Sequence, residues 1–297
     1  MNYFRVRLYI YPTQKGNIMG TLKEYRARPH WSFSALNSFF NICSLQYAFD
    51  RIYRLPKTFT PLPLSFGSAY HRVMEWISLT RMEGRVPEPV EASDLFQTVW
   101  EKQVADDANI RFTKGMDADS CAKQGRDMVA CAVSNIDPDE EVIAFNEAFC
   151  VPLTDINGMS LETPLIGEID CVVSLNEHKM LVDWKTAGSR WAKTKAAKDW
   201  QPSAFLYGYS LIHGEIPEFR FDVVVKNKTP VFEQHVTQRS QDDFLRLVEL
   251  AKLAESMIAA EHFAPSEQGF YCGGCPHKEA CRCWHIERCR VTVDMAA

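Results

Sequence analysis

Three carboxylates, Glu168, Asp170 and Asp183, and the ammonium of Lys185 stand at short intervals within Gly167 to Thr186 (GEIDCVVSLNEHKMLVDWKT). Glu168-Ile169-Asp170-Cys171-Val172-Val173 reads as one strand and Met180-Leu181-Val182-Asp183-Trp184-Lys185 as the next. Asn176-Glu177-His178-Lys179 is the turn between them. Side chains alternate across a strand, so Glu168 and Asp170 share a face, as do Asp183 and Lys185. Pairing the strands gathers the four charged groups into a small volume. An ordinary hairpin has no use for such a concentration of charge, whereas a divalent cation and a phosphate diester do.

The second chemical grouping is made of sulfur. Of ten cysteines, six are scattered (Cys43, Cys121, Cys131, Cys150, Cys171, Cys289) and four are crowded: Cys272, Cys275, Cys281 and Cys283. Cys272 to Cys281 has the spacing C-x2-C-x5-C, and Gly273-Gly274 lets the backbone wrap closely around a bound group. Both zinc and an iron–sulfur cluster suit this spacing, zinc with Cys283, His277 or His285 as fourth ligand. The N-terminus lacks a signal-peptide core, so a disulfide scaffold is not expected and the cytoplasm is.

The elements that must position these groups follow from composition and periodicity. With 297 residues, 46% hydrophobic and 24% charged, the chain can bury a sizeable core. No apolar run reaches the roughly 18 residues of a membrane span. The net charge of −5 excludes a surface that is basic all over, so any nucleic-acid contact must be local. The best local candidate is Lys179 to Lys198, with Arg190, Lys193, Lys195 and Lys198 just after the carboxylates, although charge alone suggests a solvated face.

Residues 1–25 form an N-terminal extension of undecided structure, and 26–297 the main domain. Trp31 to Leu55 has apolar residues at near-helical spacing, with Ser32 or Ser34 as cap. A helix after Pro61–Pro63 carries His71 and Glu75 four residues apart on one face. Residues 84–140 read as a helical insertion, and Glu141 to Leu153 as a strand beside Leu165–Leu175, with Glu147 as an edge charge. Trp200 to His213 is an amphipathic helix with Pro202 in its first turn. Phe219–Val225 and Val231–Val236 form a hairpin, and Ser240–Glu261 a long capped helix.

Asp170 followed by Asp183-x-Lys185 at the end of an apolar strand resembles the bipartite motif of the PD-(D/E)XK nuclease superfamily. G-x-I-D with L-V-D-x-K-T is most similar to its RecB-like exonuclease branch. Three further segments match that branch: S-x-S-x-L with Cys43, G-x-x-x-H-x-x-x-E at Gly67–Glu75, and Gln201 of its Q-x-x-x-Y motif. Ser44 replaces a usual proline, and Phe205 occupies the tyrosine position, leaving Tyr207 or Tyr209 to supply a hydroxyl. The resemblance covers roughly Trp31 to Cys281.

It implies an α/β fold with a restriction-endonuclease-like core, a central mixed β-sheet flanked by helices. A cysteine clasp would join Cys43 to the segment 264–297. It also implies Mg²⁺ or Mn²⁺ held by His71, Asp170, Asp183 and the Trp184 carbonyl, with Glu75 supporting His71. Lys185 and Gln201 would act on the attacking water and the phosphate. Cys43 would complete a [4Fe–4S] cluster with Cys272, Cys275 and Cys281, with Zn²⁺ as the alternative at the cysteine site. The implied activity is metal-dependent exonuclease cleavage of single-stranded DNA or DNA ends, in a prokaryotic or phage-infected cell. Recombination, replication or CRISPR-adaptation proteins are the implied partners. The alternative is a non-catalytic iron–sulfur subunit that binds DNA ends within a larger complex.

Overall fold

The structure, a computed structural model, describes residues 20–284. Five strands make one mixed sheet in chain order: β1 (Glu141–Val151), β2 (Leu165–Leu175), β3 (His178–Ala187), β4 (Glu218–Val225) and β5 (Val231–Thr237). All neighbours are antiparallel except β3 and β4, which run parallel. The β2–β3 turn is tight because Asn176 and Glu177 both take left-handed backbone angles (φ 51° and 66°), as the favoured two-residue hairpin loop requires. Parallel neighbours need a long crossover instead. Here it contains a helix.

The main helices are α1 (Leu62–Met82), α2 (Pro89–Asp106), α3 (Ala118–Val133), α4 (Gln201–His213) and α5 (Gln241–Ala259). The two faces of the sheet sort them into two layers. Cys171, Val173, Val182, Trp184 and Val224 face α1, α2 and α3. Ile169, Val172, Leu181, Phe219, Phe221 and Val223 face α4, α5 and the Trp31–Phe40 segment. This is the helix-flanked mixed sheet expected of a restriction-endonuclease-like core. Residues 84–140 supply α2 and α3, stacked beside α1. Among the described residues no helix is long and apolar enough to cross a membrane.

Two sequence expectations need correction or restriction. Residues 1–19 of the expected extension lie outside the described residues, and Leu22–Tyr25 is a single helical turn capped by Thr21. The helix expected over Trp31 to Leu55 is a chain of short turns. Ser32 caps the first, and two later turns close with wide i→i+5 bonds, Cys43 N–H to Ser38 O and Tyr53 N–H to Ala48 O, both 2.8 Å. Cys43 itself is extended (φ −170°), and its Sγ accepts from the Gln46 N–H at 3.4 Å. The break is stable because another segment satisfies the freed groups: Leu45 N–H donates to Ala264 O, and Ser44 Oγ both donates to and accepts from Ala264.

The seating of α4 depends on two glycines around one ring. The Phe149 ring is fully buried, and a Cβ at Gly167 on β2 or at Gly208 on α4 would stand 2.4 Å from it. Neither position needs unusual backbone angles; each needs the absence of a side chain. Gly208→Ala is therefore expected to cost about 1–3 kcal/mol by overpacking. Urea unfolding measures this, and an unchanged midpoint would mean that the ring turns aside freely.

Candidate active site

β2 and β3 pair from Leu175↔His178 to Cys171↔Val182, and there their ladder ends. Beyond it β2 continues alongside β1, and β3 alongside β4. Asp170 sits at the fork. Its Oδ2 accepts the Trp184 N–H at 3.1 Å, a donor that would otherwise face the gap, and lies 3.3 Å from Nδ1 of His71 on α1. The Trp184 ring packs edge-on against His71, centroids 5.9 Å apart.

Asp183 is the most enclosed member of the cluster, with 3% of its surface exposed. Its Oδ1 accepts a short hydrogen bond from the Gln201 side-chain amide at the start of α4. Its Oδ2 is paired with Lys185, whose Nζ lies 2.5 Å away. Gln201 is itself fixed, since its backbone N–H donates to Asp199 Oδ1 at 2.9 Å. The structure thus brings His71, Asp170, Asp183, Lys185 and Gln201 together. Glu168 stands nearby, and burial together with the charges of Glu75 and Asp170 raises its carboxyl above the ordinary value.

The electrostatics follow from this crowding. Burial, reinforced by the Asp170 charge, pushes the Asp183 carboxyl up to about 6 against the pull of Lys185. Burial alone would raise Asp170 too, but His71 and Lys185 outweigh it and hold that carboxyl below its ordinary value. For His71 and Lys185 burial favours the neutral form, yet the two aspartates keep both above their usual values.

Among the described residues, no three His, Cys, Asp or Glu side chains converge as ligands of one metal ion. Asp170 is turned to His71, and Asp183 to Lys185 and Gln201. The donor set still fits a hard divalent cation. Asp183 is buried and its charged form is disfavoured even with Lys185 beside it, so a further cation would stabilise the carboxylate.

Other sequence-predicted residues sort as follows. Cys43, Cys272, Cys275 and Cys281 line one cavity with Leu45, Phe49 and Tyr271. Burial raises the Cys275 and Cys281 thiols, and neighbouring thiols add to the effect. Cys283 is exposed and outside this lining, and His277 is buried against Asp50 at 2.8 Å. Cys289 and His285 lie outside the described residues. Tyr207 donates to Pro152 O and Tyr209 to Glu215, so neither hydroxyl is offered to the cluster. Glu147 pairs with His213 on the edge strand.

In the basic run, Lys193 and Lys198 are exposed, Arg190 pairs with Glu233 at 3.5 Å, and Lys195 Nζ lies 4.5 Å above the Trp191 ring. Trp191 packs in turn on Phe221 and His235. Sequence reasoning missed Trp191, Asp199 and Glu233. Only Asp199, an acidic residue two before the helix, carried a signal.

A raised carboxylate makes native wild-type protein lose stability as pH rises through about 6. In metal-free protein Asp183→Asn is therefore expected to add on the order of 1–3 kcal/mol at alkaline pH. The gain shrinks toward zero as acid protonates Asp183 in both native and unfolded wild type. A pH series of urea unfolding curves measures it; a destabilised variant at alkaline pH would contradict the account.

The PD-(D/E)XK nuclease superfamily profile matches residues 30–282, which contain the whole cluster. Among solved structures, that of a candidate exonuclease from Eubacterium rectale aligns over 88% of this chain and 94% of that chain, with TM-score 0.53 and 13% identity. That likeness is one of fold. A second, SSO0001, aligns over 46% of this chain and 57% of that chain at TM-score 0.31 and 11% identity, too little to carry an argument. No curated protein matches the sequence. The forked strands, the D-x-K pair and the profile agree: the chain belongs to the PD-(D/E)XK nuclease superfamily.

Proposed function

We propose that this protein is a metal-dependent exodeoxyribonuclease of the RecB-like branch. It would hydrolyse phosphodiester bonds of single-stranded DNA or DNA ends in recombination and repair, phage replication or CRISPR spacer acquisition. The observation that carries this assignment is the meeting of Asp170, Asp183, Lys185, His71 and Gln201 at the β2–β3 fork.

Each residue has a task that its surroundings support. Asp170, Asp183, His71 and the Trp184 carbonyl are the donors for Mg²⁺ or Mn²⁺, the imidazole tilting the choice toward manganese. When bound, that ion activates water and polarises the scissile phosphate. Lys185, held protonated by two aspartates, orients the water and offsets charge that builds on the phosphate oxygens. Gln201 fixes the Asp183 carboxylate through the bond to its Oδ1. Arg190, Lys193, Lys195 and Lys198 give the strand a local basic approach on a chain whose net charge is −5.

The [4Fe–4S] cluster belongs to the same proposal, with Cys43, Cys272, Cys275 and Cys281 as ligands. Their common cavity supports four-thiolate ligation, and His277 is not part of its lining. Its work would be structural, tying the first helical turns to the last segment of the chain.

End-labelled single-stranded DNA with Mn²⁺ tests the activity. Wild-type protein should release nucleotides from an end and stop on chelation, while folded Asp183→Ala and Lys185→Ala lose about 100- to 1,000-fold or more in rate. Binding of ends without any cleavage would instead favour the non-catalytic subunit. For the cluster, anaerobically purified wild type should be brown and contain iron. Cys275→Ala should lose colour, melting temperature and activity together. An unchanged melting point with full cleavage would remove the structural role.

A further inference from the structure

Arg239 lies in the short turn between β5 and α5, outside every motif named above, and is half-buried. A guanidinium has five N–H donors, and here five acceptors take them. Nε donates to Ser203 Oγ at 3.0 Å. Nη1 donates to Thr237 Oγ1 at 2.6 Å and Gln238 O at 2.7 Å. Nη2 donates to Ala196 O at 2.9 Å and Asp199 O at 2.7 Å.

Three of those acceptors belong to the stretch between the Lys195–Lys198 turn and the first turn of α4. That turn is too short to satisfy its own terminal carbonyls, and Arg239 supplies the missing donors. The same stretch contains Asp199, which accepts the Gln201 backbone N–H, and Gln201, whose side chain grips Asp183. The chain of contacts runs without a gap from Arg239 through residues 196–203 to the buried carboxylate.

We propose that Arg239 is a positioning residue of the hydrolytic site, setting the 196–203 stretch so that Gln201 meets Asp183. The inference rests on the nuclease assignment and goes beyond it. Its chemistry is particular to arginine. A lysine ammonium keeps the charge but has three donors, so at least two acceptors lose their partner.

The test compares wild type, Arg239→Lys, Gln201→Ala and the double variant on end-labelled single-stranded DNA with saturating Mn²⁺. Arg239→Lys is expected to lower kcat about tenfold or more, with a smaller change in KM and a similar melting temperature. The double variant should be no slower than Gln201→Ala, because both changes act on one contact. Wild-type kcat in Arg239→Lys, or losses that multiply in the double variant, would overturn the proposal. Amide hydrogen exchange reads the same idea without catalysis. The Gln201 amide should lose protection in Arg239→Lys while β2 and β3 amides keep theirs; unchanged protection at Gln201 would also overturn it. Should wild type fail to cleave, the nuclease assignment falls and the exchange result alone decides what Arg239 holds in place.

Discussion

The parting of β2 from β3 beyond Cys171↔Val182 is the constraint on which the site depends. Continuous pairing would have met the Trp184 N–H with a strand carbonyl. The fork leaves that donor to the side chain of Asp170 instead. The carboxylate is thereby placed between two strands rather than on one face of a sheet, close to His71 on α1 and to the charged pair on β3. The positions of His71, Asp183 and Lys185 relative to one another follow from where the ladder stops.

The cluster is not relaxed. Two aspartates share a small space with one half-buried lysine and one half-buried histidine, and burial of Asp183 disfavours its charged form. A fold under selection for stability alone would not keep a buried carboxylate there whose charged form is disfavoured even beside Lys185. The strain is local, and the surrounding layers bear it: apolar side chains cover both faces of the sheet on either side of the fork.

Much of this was legible in the residues. Alternation in Met180–Lys185 correctly put Asp183 and Lys185 on one face. The turn expected at Asn176–Lys179 does join two antiparallel strands, but it is only Asn176–Glu177, since His178 and Lys179 already pair within β3. Parity failed along β2, where Ile169 and Cys171 pack into opposite layers, because a fork is a property of pairing and not of either strand's own sequence. The π-type turns around Cys43 were hidden for a similar reason. Their open backbone groups are met by Ala264, a partner no local pattern announces. The tyrosine expected near Gln201 has no counterpart at the cluster, since Tyr207 and Tyr209 spend their hydroxyls on Pro152 and Glu215. Arg239 left no trace in spacing, because its acceptors are mostly backbone carbonyls and hydroxyls.

The seam between Ser44 and Ala264 joins positions 220 residues apart. Chains are made from one end at about 5–20 residues per second. The early turns around Cys43 must therefore wait roughly 10–45 s on a translating ribosome before their partner exists. During that interval Leu45 and Phe49, fully covered in the finished protein, lack the residues that cover them. The N-terminal turns thus stay uncovered until Ala264 and Trp284 have been made.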